Sequence, residues 1–486
     1  MKTYDNIYID GKWVAPAGKG TIEVISPYSQ EVVGTVPKGN EDDVNSAVAA
    51  AKAAFPAWAA TSVEERAVYI EKLGEALAAR EADIGSTISQ EMGMPITLAR
   101  MIQAGLAINI TKTYPDILRN FKFDEELGTT TVAKEPIGVC SFITPWNYPL
   151  YLIIAKVMPA LAAGCTMVLK PSSDTPLNAY IFAEIVEEVG LPAGVFNMLT
   201  GSGSVVGEAL SGHPDVEMVS ITGSTEAGAR VGANAARTIK RVHQELGGKS
   251  ANIILDDVED FAAAVSAGVQ GVMMNCGQTC AALTRMLVPE SRKEEAYAVA
   301  AAVCNGATLG DPSEEGMHLG PVSSKKQQKV VLDYINKGIA EGAKLLAGGP
   351  DFPEGLNEKG AFVKPTAFGD VTNDMVIAQE EIFGPVICIL PYKDEAEAIA
   401  IANDSEFGLS GAVWSGDEER AVRVARQIRT GQVAINGGGF NPFAPFGGYK
   451  KSGNGRELGE FGMVDYLEIK AINRPGAPSP LKAAAE

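Results

Sequence analysis

Gly138-Val-Cys-Ser-Phe-Ile143, Thr166-Met-Val-Leu169, Val195-Phe-Asn-Met-Leu199 and Val216-Glu-Met-Val-Ser-Ile221 are short runs rich in β-forming apolar residues. A helical segment follows each, beginning near Pro149, Pro176, Ser204 and Thr225. Strands this short and this apolar read as buried on both faces, the pattern of a parallel sheet covered by helices. The alternation predicts an α/β fold with a doubly wound, nucleotide-binding sheet.

Towards the N-terminus, Ile7-Tyr-Ile-Asp-Gly-Lys-Trp13 reads as strand, Val44 to Trp58 as an amphipathic helix, and Val63 to Met92 as helix ending near Gly93 and Pro95. Residues 1–120 and 138–246 are thus expected to form one discontinuous domain. A second alternation, with strands at Ala251–Leu255, Met286–Pro289, Ala361–Pro365 and Val386–Leu390, sets a second α/β domain over 247–450. Phe121 to Val132 and Met463 to Ile472 are strand-like, so 121–137 and 460–474 are expected to form a small β extension for oligomerisation by edge pairing. The proline-bearing tail, 475–486, is expected to be disordered.

At 486 residues the chain is too long for one core. A formal net charge of -19 argues against nucleic-acid and anionic-membrane partners. Leu150 to Leu169 is the most apolar window, but Lys156, Pro159 and Gly164 interrupt it, so it reads as a buried helix, a turn and a buried strand. Met1 to Asn6 lack signal-peptide character, and the 6 cysteines show no paired spacing, so a reducing cytoplasm is expected. With 3 scattered histidines and no Cys-x-x-Cys, no metal site and no Ser-His-Asp triad is expected.

The chemistry-bearing segments are short. Asn275-Cys-Gly-Gln-Thr-Cys280 holds cysteines in a polar, glycine-containing segment, unlike Cys140, Cys165 and Cys388, which sit within apolar runs as inert hydrophobes do. Cys280 is the better nucleophile, because it opens a helix-like run, Ala281-Ala-Leu283, whose dipole would lower a thiol pKa. Glu245-Leu-Gly-Gly-Lys-Ser250 places an acid before a glycine turn, where a carboxylate can activate water. Thr144-Pro-Trp-Asn-Tyr-Pro149 is a rigid turn in which Asn147 is either a structural amide or an oxyanion donor.

Lys170-Pro-Ser-Ser173 ends a strand where ligands bind in such sheets, although a solvated lysine also fits. Gly201-Ser-Gly203-Ser-Val-Val-Gly207 and Gly223-Ser-Thr-Glu-Ala-Gly228 are strand-to-helix turns able to meet a phosphate, each weak evidence alone. Glu380-Glu-Ile-Phe-Gly-Pro385 and Pro445-Phe-Gly-Gly-Tyr-Lys-Lys-Ser-Gly453 complete the set, as a paired acid before a turn and a glycine-rich rim.

Together, and in this order, these motifs resemble the aldehyde dehydrogenase superfamily from about Tyr8 to Ile472. The resemblance implies a cofactor-binding domain at 1–120 and 138–246, a catalytic domain at 247–450, and NAD- or NADP-dependent oxidation of an aldehyde to an acid. It makes Cys280 the nucleophile, Asn147 with the Cys280 N–H the oxyanion hole, Glu245 the base that hydrolyses the thioester, and Lys156 a proton-relay partner. It assigns the cofactor to Ile143, Thr144, Pro145, Trp146, Lys170, Ser172, Ser173, Gly203, Gly207, Thr222, Gly223, Ser224, Leu246, Glu381 and Phe383. It lines the substrate pocket with Tyr148, Leu152, Ala155, Thr279, Phe440 and Phe446, a lining that leans towards a hydrophobic or aromatic aldehyde.

Ser173 departs from the glutamate that many NAD-preferring relatives carry there, which leaves NAD and NADP both open. A homodimer or homotetramer is implied. The alternatives are a coenzyme-A-acylating dehydrogenase, against which Glu245 argues, and a non-catalytic protein on the same fold, against which the intact Cys280, Glu245 and Asn147 argue.

Overall fold

The computed structural model describes residues 1–476. Its first large sheet is built on Arg241–Glu245, Met218–Thr222, Val139–Ile143, Thr166–Lys170 and Phe196–Met198, side by side and all parallel. Antiparallel strands flank them: Gly453–Asn454 beyond Arg241–Glu245, and the hairpin Ile7–Ile9 and Lys12–Val14 beyond Phe196–Met198. The parallel strands begin in sequence with Val139–Ile143 at the middle and are added outward first on one side and then on the other. Sequence order thus reverses between Val139–Ile143 and Met218–Thr222, and a crevice opens at the carboxyl ends of these two strands.

The second large sheet has the order Lys344–Ala347, Thr366–Gly369, Val386–Tyr392, Arg285–Pro289, Ala251–Ile254, Gly411–Trp414 and Ala434–Ile435, parallel except at its first strand. Leu467–Asn473 pairs along its whole length with Thr130–Pro136, which pairs in turn with Asp124–Leu127, forming a separate antiparallel sheet.

The helix Pro149–Ala163 explains the apolar window. Proline opens it, Gly164 closes it at φ 96, and all 15 residues are buried, Lys156 included. The strand Thr166–Lys170 follows directly. Among the described residues no helix is long and apolar enough to cross a membrane.

Several expectations are corrected. Residues 361–365 are not a strand; the ladder starts at Thr366. Pro365 has no N–H to give, and the neighbouring backbone is drawn to irregular partners, Ala361 N–H to the Pro27 carbonyl and Val322 N–H to the Ala361 carbonyl. The helical stretch 63–92 is two helices, Val63–Ala79 and Glu81–Met92, meeting at Arg80. The late strand begins at Leu467, because Gly459–Val464 is helical. Apart from its first two residues, the tail 475–486 lies outside the described residues.

Candidate active site

Between the two large sheets, two loops interlock. One follows Ile143 and carries Asn147; the other runs from Asn275 to Cys280. The Asn147 side-chain amide donates to the Gln278 carbonyl at 3.0 Å. Its backbone carbonyl accepts from Gln103 Nε2 at 2.9 Å and from Asn275 Nδ2 at 3.0 Å. One residue along, the Tyr148 and Thr279 hydroxyls are hydrogen-bonded at 2.7 Å. The oxyanion candidate and the nucleophile candidate are therefore fixed to each other by side chains on both loops.

Asn275, Cys276 and Gly277 all have positive φ, 52, 53 and 69. For the non-glycine pair this costs on the order of 1–2 kcal/mol each, and the Asn275 bonds across the loop hold it. At Gly277 a Cβ would overlap the Gly384 carbonyl oxygen, so the Glu380–Pro385 turn packs on the Asn275–Cys280 loop only because residue 277 is glycine; a Cβ at Gly384 would instead meet Val331.

Cys280 is half-buried, whereas Cys276 is buried with its sulfur on the Gly320 carbonyl at 3.2 Å. The expected helix after Cys280 does not form. Arg285 already begins a strand, and the few intervening residues make turns, Ala282 N–H to the Thr279 carbonyl and Thr284 N–H to the Ala282 carbonyl. No helix dipole assists the thiol; burial, then the charges of Glu245 and Glu381, push it up.

Glu245 ends the strand Arg241–Glu245, and its carboxyl is buried with no hydrogen-bond partner among the described residues. Burial and the neighbouring Glu457 push it well above the usual carboxylate range, partly offset by Lys156 and Arg456. Lys156 itself is fully buried, paired to Glu457 at 2.5 Å and donating to Ser220 Oγ at 3.0 Å. Glu457 and His243 were not singled out from sequence. The usable signal for Glu457 was indirect: a lysine alone in an apolar helix requires a buried acid somewhere.

At the crevice, Ile143 and Thr144 end one strand, with Thr222, Gly223 and Ser224 at the end of its neighbour. The Thr144 and Thr222 hydroxyls are buried without hydrogen-bond partners among the described residues. Ser224 caps the helix Thr225–Ala235, and a methyl group on Gly203 would meet nothing within 4 Å. Lys170 is buried and, among the described residues, bonds only the Pro171 carbonyl; burial lowers its pKa to about 8. Ser173 Oγ donates to the Gly201 carbonyl at 3.1 Å, Ser172 Oγ accepts the Asp174 N–H, and Gly207 packs near Ile143.

Across the crevice Glu381 accepts the Gly248 N–H at 2.9 Å, and burial raises its pKa to about 7. Phe383 meets Trp146, beside Pro145, edge-on at 5.3 Å, and Leu246 packs against Gly228. Orphaned hydroxyls, open glycine turns, a helix N-terminus and a buried cation on one sheet edge fit a dinucleotide. Leu152 and Ala155 are buried on the helix behind Tyr148, and Phe446 is buried and paired through its backbone with Glu457. Phe440 stands half exposed on its loop, outside that packed wall.

Comparison with known proteins bears on this geometry. A curated relative, 3-succinoylsemialdehyde-pyridine dehydrogenase of a Pseudomonas species, is 51% identical over 97% of this chain and 99% of its own. Aldehyde dehydrogenase C of Pseudomonas syringae, solved as a mutant with NAD+ and octanal, is 49% identical with a TM-score of 0.96 over 98% of both chains. An aldehyde dehydrogenase of Mycobacterium tuberculosis, solved with NAD+, is 43% identical with a TM-score of 0.95, covering 98% of this chain and 99% of that one. Residues 13–472 match the profile described as the aldehyde dehydrogenase family, and the chain belongs to that family.

Proposed function

We propose that this protein oxidises an aldehyde to the carboxylic acid with NAD+ or NADP+, using Cys280, Asn147 and Glu245 as its reacting and stabilising groups. The supporting observation is the cross-linked pair of loops. One N–H of the Asn147 amide is committed to Gln278, leaving the other, with the Cys280 backbone N–H, for an oxyanion.

Cys280 adds as the thiolate to the aldehyde carbon, and the resulting alkoxide sits on those donors. When bound, the dinucleotide supplies the hydride acceptor, held by the crevice residues from Ile143 to Trp146, Lys170, Gly203, Thr222 to Ser224, and Glu381 with Phe383 across from them. Loss of hydride leaves a thioester on Cys280. Glu245 takes a proton from water as its oxygen attacks the thioester, and the acid leaves as the thiolate is restored.

NAD+ is the dinucleotide in the two solved relatives described above. Ser173 carries no charge to repel a 2′-phosphate, so the choice between NAD+ and NADP+ stays open to the dinucleotide assay below. Tyr148, Leu152, Ala155, Thr279, Phe446 and the rim residue Phe440 suit an apolar or aromatic aldehyde, in line with relatives named for a pyridine-bearing semialdehyde and solved with octanal. The exposed apolar residues Leu127, Ile469 and Ile472 on the three-stranded sheet support assembly into a homodimer or homotetramer, which sedimentation would measure. Six free cysteines suit a cytoplasmic location.

The test is reduced-nicotinamide absorbance with octanal and aromatic aldehydes against each dinucleotide. Cys280→Ala abolishes reduction. Glu245→Gln gives a burst of reduced cofactor and then stalls; turnover at the native rate would remove Glu245 from the base role.

A further inference from the structure

Beside Glu245 lies a group that the steps above leave idle. His243 sits two residues upstream on the same strand and is almost fully buried. Its Nε2 lies 3.6 Å from Glu245 Oε1 and its Nδ1 lies 3.4 Å from Asp465 Oδ2. Neither contact is a hydrogen bond as it stands, and among the described residues neither ring nitrogen has any other protein partner.

The ring is confined. A Cβ at Gly455, where φ is 85, would lie 2.7 Å from His243 Cδ2 and 2.7 Å from Asp465 Oδ2. On the other side a Cβ at Gly447 would lie 2.7 Å from Glu245 Oε1. Two side-chain-free positions thus let an acid, an imidazole and a second acid line up in a space that would otherwise be filled. Asp465 is fixed in turn, because its Oδ2 accepts the Arg456 backbone N–H at 2.8 Å.

We infer that His243, oriented by Asp465, is a positioning residue for Glu245 that holds its carboxyl group between turnovers and sets the pH at which it becomes a base. This rests on Glu245 being the base of the reading above. The charges facing the pair decide the proton placement. Lys156 from the helix 149–163 and Arg456 from the loop before the last helix face it as cations; Glu457 and Asp465 face it as acids, with Arg241 near Asp465 on the far side.

Burial, Lys156 and Arg456 keep the imidazole well below its ordinary pKa, hence neutral, while burial and Glu457 favour the protonated form of Glu245. A neutral ring has one N–H and one lone pair. With Nδ1–H directed to Asp465, the Nε2 lone pair faces Glu245 Oε1 at 3.6 Å and, as the carboxyl group closes on it, accepts a hydrogen bond from the protonated acid without taking its proton. That contact favours neutral Glu245 and must be broken, with loss of the proton, before Glu245 can activate water.

The experiment follows kcat against pH, together with the pre-steady-state burst of reduced cofactor, in the wild type, His243→Gln and Asp465→Asn. Gln offers an N–H where the lone pair was. Asn removes the anion that fixes the tautomer and that also raises the Glu245 pKa. Both favour the carboxylate. The acidic limb of kcat moves to lower pH by roughly one unit, about the effect of one hydrogen bond on an ionisation constant. The burst rate, which reports hydride transfer, stays as in the wild type.

An unmoved limb in both variants, or a limb that moves only together with the burst rate and the melting temperature, overturns the proposal. Glu245→Gln run in parallel separates the two levels. If it stalls after the burst while the limb is unmoved in the other variants, only the role of His243 fails. If it turns over normally, the base assignment fails and this inference with it.

Discussion

On the Cys280 side of Glu245 the polar groups of two loops are tied together: Asn147 to Gln278, Asn275 and Gln103 to Asn147, Tyr148 to Thr279. On the inner side the opposite holds. Among the described residues, both oxygens of Glu245, both nitrogens of His243 and one oxygen of Glu457 are buried without protein hydrogen-bond partners. A satisfied network fixes positions; a buried, under-satisfied set of charges fixes proton affinities. On the proposed function, the loop carrying Cys280 has to be in place to a fraction of an ångström, whereas Glu245 in the inner cluster has to change protonation in every turnover.

The largest effect is expected where the inner cluster is cut. Lys156→Met leaves Glu457 buried without its cation, and removing one partner of a buried pair costs about 3–5 kcal/mol. Denaturant unfolding would measure it, and Lys156→Met with Glu457→Leu should recover much of the loss because no lone charge remains. If the single variant were as stable as the wild type, the inner cluster would not be the strained side. On the loop side, Asn147→Ala is expected to cost about a hundredfold to a thousandfold in kcat with a smaller effect on stability. An equal loss in the two properties would mean that Asn147 only braces the loops.

Lys170 extends the inner rule to the crevice. Its pKa is lowered to about 8 by burial, so its charge is present below that pH and lost as pH rises through it. If it attracts a 2′-phosphate, KM for NADP+ should rise between pH 7 and 9 relative to KM for NAD+, by up to about tenfold for one charge contact. Parallel curves for the two dinucleotides would leave Lys170 to the ribose alone.

The two sides also differ in how far they could be read from sequence. The loop side is legible because its constraints are local: a glycine at 277 where the backbone turns left-handed against Gly384, a proline-bounded turn around Asn147, a cysteine in polar surroundings. The alternating sheet is legible for a similar reason, since buried parallel strands are apolar along their length. The inner side is not. Glu457 lies 301 residues from Lys156, and nothing near it separates a buried acid from a surface one.

Arg241–Glu245, the strand carrying His243 and Glu245, is polar and only partly buried, so its periodicity is weak. Two misreadings share one cause: an apolar run at 361–365 and a small-residue run after Cys280 both have the local pattern of regular structure. In both places the next strand claims the chain, at Thr366 and at Arg285.

The smallest expected effect tests how much of the loop rigidity is shared. Tyr148→Phe removes one hydroxyl and leaves Thr279 Oγ1 without its 2.7 Å partner beside the nucleophile. A neutral hydrogen bond is worth about 0.5–1.5 kcal/mol, so the melting temperature should fall only slightly. Asn147, Gln278 and Asn275 still hold the two loops together, and the burst rate with octanal should change by less than about tenfold, the span of 1.4 kcal/mol. If Tyr148 lines the aldehyde pocket as proposed, the ring stays in its wall and becomes less polar, so KM for an apolar aldehyde should hold or fall. A hundredfold loss of burst rate would mean that the Tyr148–Thr279 contact, rather than the Asn147 network, sets the position of Cys280.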